Sequence, residues 1–275
     1  MKKLAALVML LACLLPCQAA GSEELSLPAK GAVLIDGASG RVLFAQNADT
    51  PYPMASTTKI MTCLLAVETC SPEEIVTAGP NAEGVPGTSI YLTEGEQLTM
   101  RDMLYGLMLR SGNDAANAVA ELCAGSVDAF VARMNARARE LGMTGTHFVN
   151  PHGYHDPEHY TTARDLAILA RQGLTDPTFC QIVTCLRYTL PATSQRSELV
   201  IENAYDIFKP DSPYYIEGAA GVKSGYTSHA GFCYVGAAQR NGQTLIAVLL
   251  DAPTRNRAWT DLKRLFAYGF AFLAS

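Results

Sequence analysis

Ser56 and Lys59 stand three residues apart in Met54-Ala55-Ser56-Thr57-Thr58-Lys59-Ile60-Met61-Thr62, with an apolar run beyond them. If Ser56 starts a helix, Lys59 lies one turn on, on the same face. That spacing pairs a nucleophile with a base. A serine hydroxyl is a weak nucleophile at neutral pH and needs a group to take its proton. A lysine can do so only if burial or a second cation pulls its pKa down. The chemistry therefore requires another lysine elsewhere in the chain. Alone, the Ser-x-x-Lys spacing arises by chance roughly once in a chain of this size. A helix cap followed by a surface lysine would look the same.

The partners are present. Ser111-Gly112-Asn113 supplies a hydroxyl and an amide at a tight break between helices, and Lys223-Ser224-Gly225 supplies a cation, a hydroxyl and a residue without a side chain. Ser-x-x-Lys, Ser-x-Asn and Lys-[Ser/Thr]-Gly each occur once, in that order. Together they offer what an acylated serine needs: a cation to keep Lys59 neutral, a proton route to the leaving group, and donors for an oxyanion.

In these three motifs the chain resembles the penicillin-recognising serine enzymes. Ala55-Ser56-Thr57-Thr58-Lys59-Ile60-Met61-Thr62, Ser111-Gly112-Asn113-Asp114-Ala115-Ala116, Asn150-Pro151-His152-Gly153, His159-Tyr160-Thr161-Thr162-Ala163-Arg164-Asp165-Leu166 and Lys223-Ser224-Gly225-Tyr226-Thr227 narrow the resemblance to the low-molecular-mass D-alanyl-D-alanine carboxypeptidases. It covers about residues 30 to 272. It implies a β-lactamase/transpeptidase-like fold and a peptidoglycan stem peptide ending in D-Ala-D-Ala as substrate, with β-lactams as inhibitors. It also implies roles. Ser56 attacks the carbonyl between the two D-alanines and neutral Lys59 takes its proton. Ser111 relays a proton to the departing D-alanine, and Asn113 holds Lys59 and the substrate amide. Lys223 keeps Lys59 deprotonated and, with Ser224, binds the terminal carboxylate. The N–H groups of Ser56 and Tyr226 form the oxyanion hole, and Gly225 belongs with Lys223, Ser224 and Tyr226 to the substrate-binding motif. No cofactor or metal is called for.

The chain departs from that pattern in three places. Ser224 stands where threonine is usual, which keeps the hydroxyl and loses a methyl. Ile201-Glu202-Asn203 replaces an Asn-x-Asn, and the acidic Glu202 argues for leaving this region out of the binding site. The β-rich second domain and C-terminal membrane anchor of many relatives are not expected here. A serine β-lactamase would use the same acylation, but one well-known class needs a glutamate on a loop where this chain reads His147-Phe148-Val149-Asn150-Pro151. An endopeptidase or transpeptidase, or a non-catalytic binding protein that keeps the fold, would carry the same motifs.

The elements that must position these residues follow a simple order. Gly31 to Asp36 and Arg41 to Ala45 read as a strand pair around a Gly-Ala-Ser-Gly turn. A helix runs from Ser56 to about Cys70. Further helices are expected after Leu98-Thr99-Met100-Arg101-Asp102, after Asn113, over Val127 to Leu141, and from Thr161 to Gly173. Arg187 to Asn203 holds strand-like runs, and Asp206 to Glu217 is a loop rich in Pro and Tyr. Ala230 to Gln239 and Thr244 to Leu250 flank an Asn-Gly turn. Arg255 to Leu273 is a closing helix whose Trp259, Leu262, Leu265 and Phe266 are core residues. First and last strands most simply join in one antiparallel β-sheet covered by helices, an α+β fold with a mainly helical subdomain inserted and the cleft between the two.

The chain has 275 residues, a sixth of them charged, and a net charge of −5. No basic run exceeds two residues, so nucleic acid is not a partner. Lys2 and Lys3, the apolar Leu4 to Pro16 and the small residues around Cys17-Gln18-Ala19 make residues 1–19 a secretory signal. A membrane span needs about 20 apolar residues, more than this run holds. Residues 20–275 are then one exported catalytic domain, secreted or associated with the cell wall, with no stable membrane anchor. Removing the signal leaves Cys63, Cys70, Cys123, Cys180, Cys185 and Cys233. No bridge is assigned among them, and Cys63 and Cys70 read as small core residues. His152, His155 and His159 lie on one loop and are expected to be structural, as are Asp114 and Asp165 near helix starts.

Overall fold

The computed structural model describes residues 25–203 and 205–274, so the expected secretory signal lies outside the described residues. Strand β1 (Gly31–Asp36) pairs with β2 (Val42–Gln46). Asp36 closes their turn by accepting the amide and hydroxyl of Ser39, each at 2.6 Å. A single 3-10 turn, Ala55–Thr58, leads into helix α1 (Lys59–Thr69). Strands β3 (Ile75–Thr77) and β4 (Gln97–Thr99) form a small hairpin.

The helical subdomain follows, and its boundaries are set by caps. Thr99 and Asp102 form a reciprocal capping box at the start of α2 (Met100–Leu109). Helix α3 spans Asn113–Ala124 and ends on Gly125 in the left-handed conformation. Ser126 caps α4 (Val127–Glu140), Thr162 caps α5 (Ala163–Gly173), and Asp176 caps the short α6 (Pro177–Val183). Strands β5 (Arg187–Leu190) and β6 (Leu199–Glu202) pair only with each other. The chain ends with β7 (Ala219–Thr227), β8 (Gly231–Arg240), β9 (Gln243–Ala252) and α7 (Arg255–Ala274).

The main sheet has the order β2-β1-β9-β8-β7 and is antiparallel throughout, so the first and last strands are neighbours as expected. It is covered on both faces. Along β9, Ile246, Val248 and Leu250 face the helical subdomain, while Leu245, Ala247 and Leu249 face α7 with Trp259, Leu262, Leu265 and Phe266. In β1, Val33 and Ile35 take the first side and Ala32 and Leu34 the second. A strand buried on both faces reads as an unbroken apolar run, and Leu245 to Leu250 does. The β7 edge is left free of strand pairing and faces the 3-10 turn.

Helix α6 was not expected; seven residues carry too little periodicity to announce a helix, and Asp176-Pro177 was its only signal. Cys63 is buried as expected, but Cys70 is the C-cap of α1 and only half-buried.

Candidate active site

Ser56 sits in the 3-10 turn that precedes α1. Ala55, just before it, has φ 49°, a left-handed backbone rare outside glycine and found where surrounding contacts enforce it. Those contacts are visible. Thr57 Oγ1 donates to Met54 O at 2.6 Å and Thr58 Oγ1 to Ala55 O at 2.8 Å. The Val149 N–H donates to His159 Nδ1 at 3.0 Å, so the neutral ring carries its proton on Nε2 and donates to Thr58 Oγ1 at 2.7 Å. Burial pushes the His159 imidazole down to about 3, which keeps it neutral. Gly153 packs so closely on Ala55 O that a Cβ there would overlap it. The histidine loop is thus a brace for the turn that carries Ser56.

Lys59 is fully buried directly beneath Ser56. Its Nζ lies 3.0 Å from Ser56 Oγ, 2.7 Å from Asn113 Oδ1 and 2.6 Å from the carbonyl oxygen of His152. Burial first, and the positive charge of Lys223 second, hold this amine well below the ordinary lysine range, against the opposing pull of Asp114. A neutral amine has two N–H bonds and one lone pair. The two carbonyl oxygens accept the two N–H bonds, which leaves the lone pair aimed at the Ser56 hydroxyl. The geometry therefore suits a lysine that takes a proton from serine.

The second motif forms the break between α2 and α3. Ser111 has φ 64°, the second left-handed non-glycine beside the site. Asn113 is anchored at both ends of its amide: Oδ1 accepts from Lys59, and Nδ2 donates to Pro86 O at 2.6 Å. Asp114 faces away from the cavity. It accepts the N–H groups of Ile90, Leu92 and Ala115 and the hydroxyl of Ser89, which pins the preceding loop against α3. Asp165 likewise accepts from Gly145 N at 2.9 Å and Thr146 Oγ1 at 2.7 Å. Both aspartates are structural.

The third motif lies on the free edge of β7. Lys223 is buried and donates to Ser224 O at 3.0 Å. The Ser224 N–H and hydroxyl both reach Tyr205 Oη, at 2.9 and 3.2 Å. A Cβ on Gly225 would stand 2.7 Å from Ser56 N and 2.9 Å from Ala55 Cβ, so only glycine lets β7 approach the Ser56 turn this closely. The Tyr226 ring is exposed and packs on Phe232, centroids 4.4 Å apart.

Ser56, Ser111, Asn113, Lys223, Ser224, Gly225 and Tyr226 line one open cavity of about 610 Å³, with Lys59 under its floor. Its wall also holds residues that were not expected there, among them Glu202, Tyr205, Arg255 and Trp259. Glu202, at the end of β6, stands in the cavity wall, its exposed carboxylate 3.6 Å from Arg187. Trp259 is both core, as expected, and cavity wall. The carbonyl of His152 was missed because a backbone atom has no residue-type signature. The Asn-Pro-His-Gly turn was the only available sign.

A serine beside a buried lysine, on a turn between an antiparallel sheet and a helical subdomain, is the arrangement of the penicillin-recognising serine enzymes with their β-lactamase/transpeptidase-like fold. Within that class the chain belongs to the D-alanyl-D-alanine carboxypeptidase family (Peptidase S11), whose family model matches residues 18–254. It is 35% identical over 256 residues to the D-alanyl-D-alanine carboxypeptidase DacF of Bacillus subtilis, covering 91% of this chain and 64% of that protein. It is 33% identical to DacB2 of Mycobacterium tuberculosis, covering 89% of this chain and 83% of that one. Among solved structures, the Mycobacterium tuberculosis D-alanyl-D-alanine carboxypeptidase superposes with a TM-score of 0.84 at 32% identity, covering 92% of this chain and 95% of that one. The Streptomyces K15 DD-transpeptidase does so with 0.82 at 31%, covering 90% and 98%. The chain thus spans just under two thirds of the length of its Bacillus relative.

Proposed function

We propose that this protein is a serine-type D-Ala-D-Ala carboxypeptidase that removes the terminal D-alanine from peptidoglycan stem peptides through an acyl-enzyme on Ser56. The observation that carries the reading is the Lys59 amine. Its two N–H bonds are spent on Asn113 and His152 while it lies 3.0 Å from the Ser56 oxygen. Ser56 Oγ attacks the carbonyl of the penultimate D-alanine and Lys59 Nζ takes the hydroxyl proton. The N–H groups of Ser56 and Tyr226 stabilise the oxyanion. A proton passing through Ser111 reaches the nitrogen of the last D-alanine, which leaves as the free amino acid. Water then cleaves the ester and returns Ser56. Lys223 and Ser224 receive the terminal carboxylate, and penicillins acylate the same serine.

The family's substrate and a cell-wall location support one another. The protein is proposed to act outside the cytoplasm, secreted or wall-associated. Among the described residues no single helix is long and apolar enough to cross a membrane.

The test is release of D-alanine from a peptide ending in D-Ala-D-Ala. Ser56→Ala should lower the rate by at least about a thousandfold. Release that survives this change would refute the reading. Transfer of the acyl group to an added amine rather than water would make the protein a transpeptidase, as the Streptomyces neighbour is named. A penicillin adduct that clears within seconds would make it a β-lactamase.

A further inference from the structure

Helices α1 and α3 carry the lysine and the asparagine of the site at their starts, where Lys59 meets Asn113 at 2.7 Å. At their far ends they meet again. Cys70, the C-cap of α1, and Cys123, in the last turn of α3, hold their sulfur atoms 2.8 Å apart. A disulfide bond is about 2.05 Å long, so less than about 1 Å of movement would close one. Burial, followed by the neighbouring Cys70 thiol, pushes the Cys123 thiol up, and the two sulfur atoms already touch as a weak S–H contact. The other four cysteines point elsewhere. Cys180 donates to Leu174 O, Cys185 to Arg187 O, Cys233 to Pro53 O and Ala230 O, and Cys63 is buried in the core.

We propose that Cys70 and Cys123 form a structural disulfide that ties the far ends of α1 and α3. The oxidant is a disulfide, either oxidised glutathione or the active-site disulfide of a thiol oxidoreductase, which an exported chain would meet outside the reducing cytosol. The Cys70 thiolate attacks one sulfur of the oxidant and expels a thiolate. Cys123 then attacks the Cys70 sulfur of the mixed disulfide and expels the second. Two protons and two electrons pass to the oxidant, which leaves as two thiols. The closed loop joins residues 53 apart and contains β3, β4, α2 and the whole second motif. Cross-linking a loop of this size restricts the unfolded chain and favours the folded state.

The test compares the mature protein treated with excess oxidised glutathione and with dithiothreitol. A non-reducing peptide map of the oxidised sample should join the Cys70 and Cys123 peptides, with the intact mass lighter by two hydrogens. Its Tm should exceed that of the reduced sample by roughly 5–15 °C. The difference should vanish in the C70S/C123S double variant and persist in C180S/C185S. Should the double variant fail to fold, the wild-type pair of samples still decides. Alkylation of both Cys70 and Cys123 by iodoacetamide in the glutathione-treated protein, a map joining other cysteines, or equal Tm values would overturn the proposal.

Discussion

The backbone of Gly225 in β7 and the amide of Ser56 in the 3-10 turn approach until a single added methyl would sit 2.7 Å from the serine nitrogen. That nitrogen is one of the two proposed oxyanion donors. The approach, rather than any side chain, sets where the developing charge can lie.

The G225A variant should therefore be crippled in acylation without unfolding. The φ of residue 225 is not left-handed, so alanine is tolerated by its own backbone, and the cost falls on the Ser56 contact. Displacing one oxyanion donor lowers rates about a hundredfold or more. The rate of penicillin adduct formation on Ser56, followed by intact mass, checks this.

Lys223 lowers the proton affinity of Lys59 through space. Acylation needs Lys59 neutral, so it should rise with pH through the Lys59 pKa and be lost on acidification. Removing the second cation in K223A should raise that pKa and move the acid limb to higher pH, in addition to weakening carboxylate binding. K223R keeps the charge and should keep the limb near its wild-type position. A kcat/KM profile for D-alanine release against pH separates the two variants.

Asp114 satisfies three buried N–H groups and one hydroxyl. The D114A variant leaves them without an acceptor and should lose about 3 kcal/mol of stability. In a protein of this size that is a fall of about 6–12 °C in Tm. Calorimetry on the two proteins decides it.

His152 and His159 take up protons near 6.5 when unfolded and only near 3 when folded, burial being the main cause in both. The folded state then binds fewer protons across that window. The stability these rings contribute is complete above the unfolded value and declines as the pH falls toward the folded one. Each such ring adds about 1.4 kcal/mol per pH unit to the slope. H159Q should be less stable at neutral pH yet show a shallower acid slope. Urea titrations at several pH values measure both.

Much of this site was readable because its chemistry is carried by side chains in short motifs. Ser56, Lys59, Ser111, Asn113 and Lys223 announce themselves by type and spacing. The sheet was readable from the unbroken run Leu245 to Leu250 and the Asn-Gly turn beside it. What escaped depends on contacts distant in sequence. Tyr205 reaches Ser224 only because its loop folds back over β7. The His152 carbonyl reaches Lys59 from a residue 93 positions away. Glu202 was left out of the site on its charge, and its place in the cavity wall follows from the pairing of β5 with β6.

Gly153, pressed against the carbonyl of Ala55, has a consequence for heredity. Every other amino acid brings a Cβ, so any missense change in that codon drives the histidine loop off the nucleophile's turn. Gly225 faces the same bar from the other side. On the proposed function, neither glycine can be exchanged without displacing the turn that carries Ser56. Heritable variation compatible with that function should then fall at the rim of the cavity, where side chains rather than backbone form the wall.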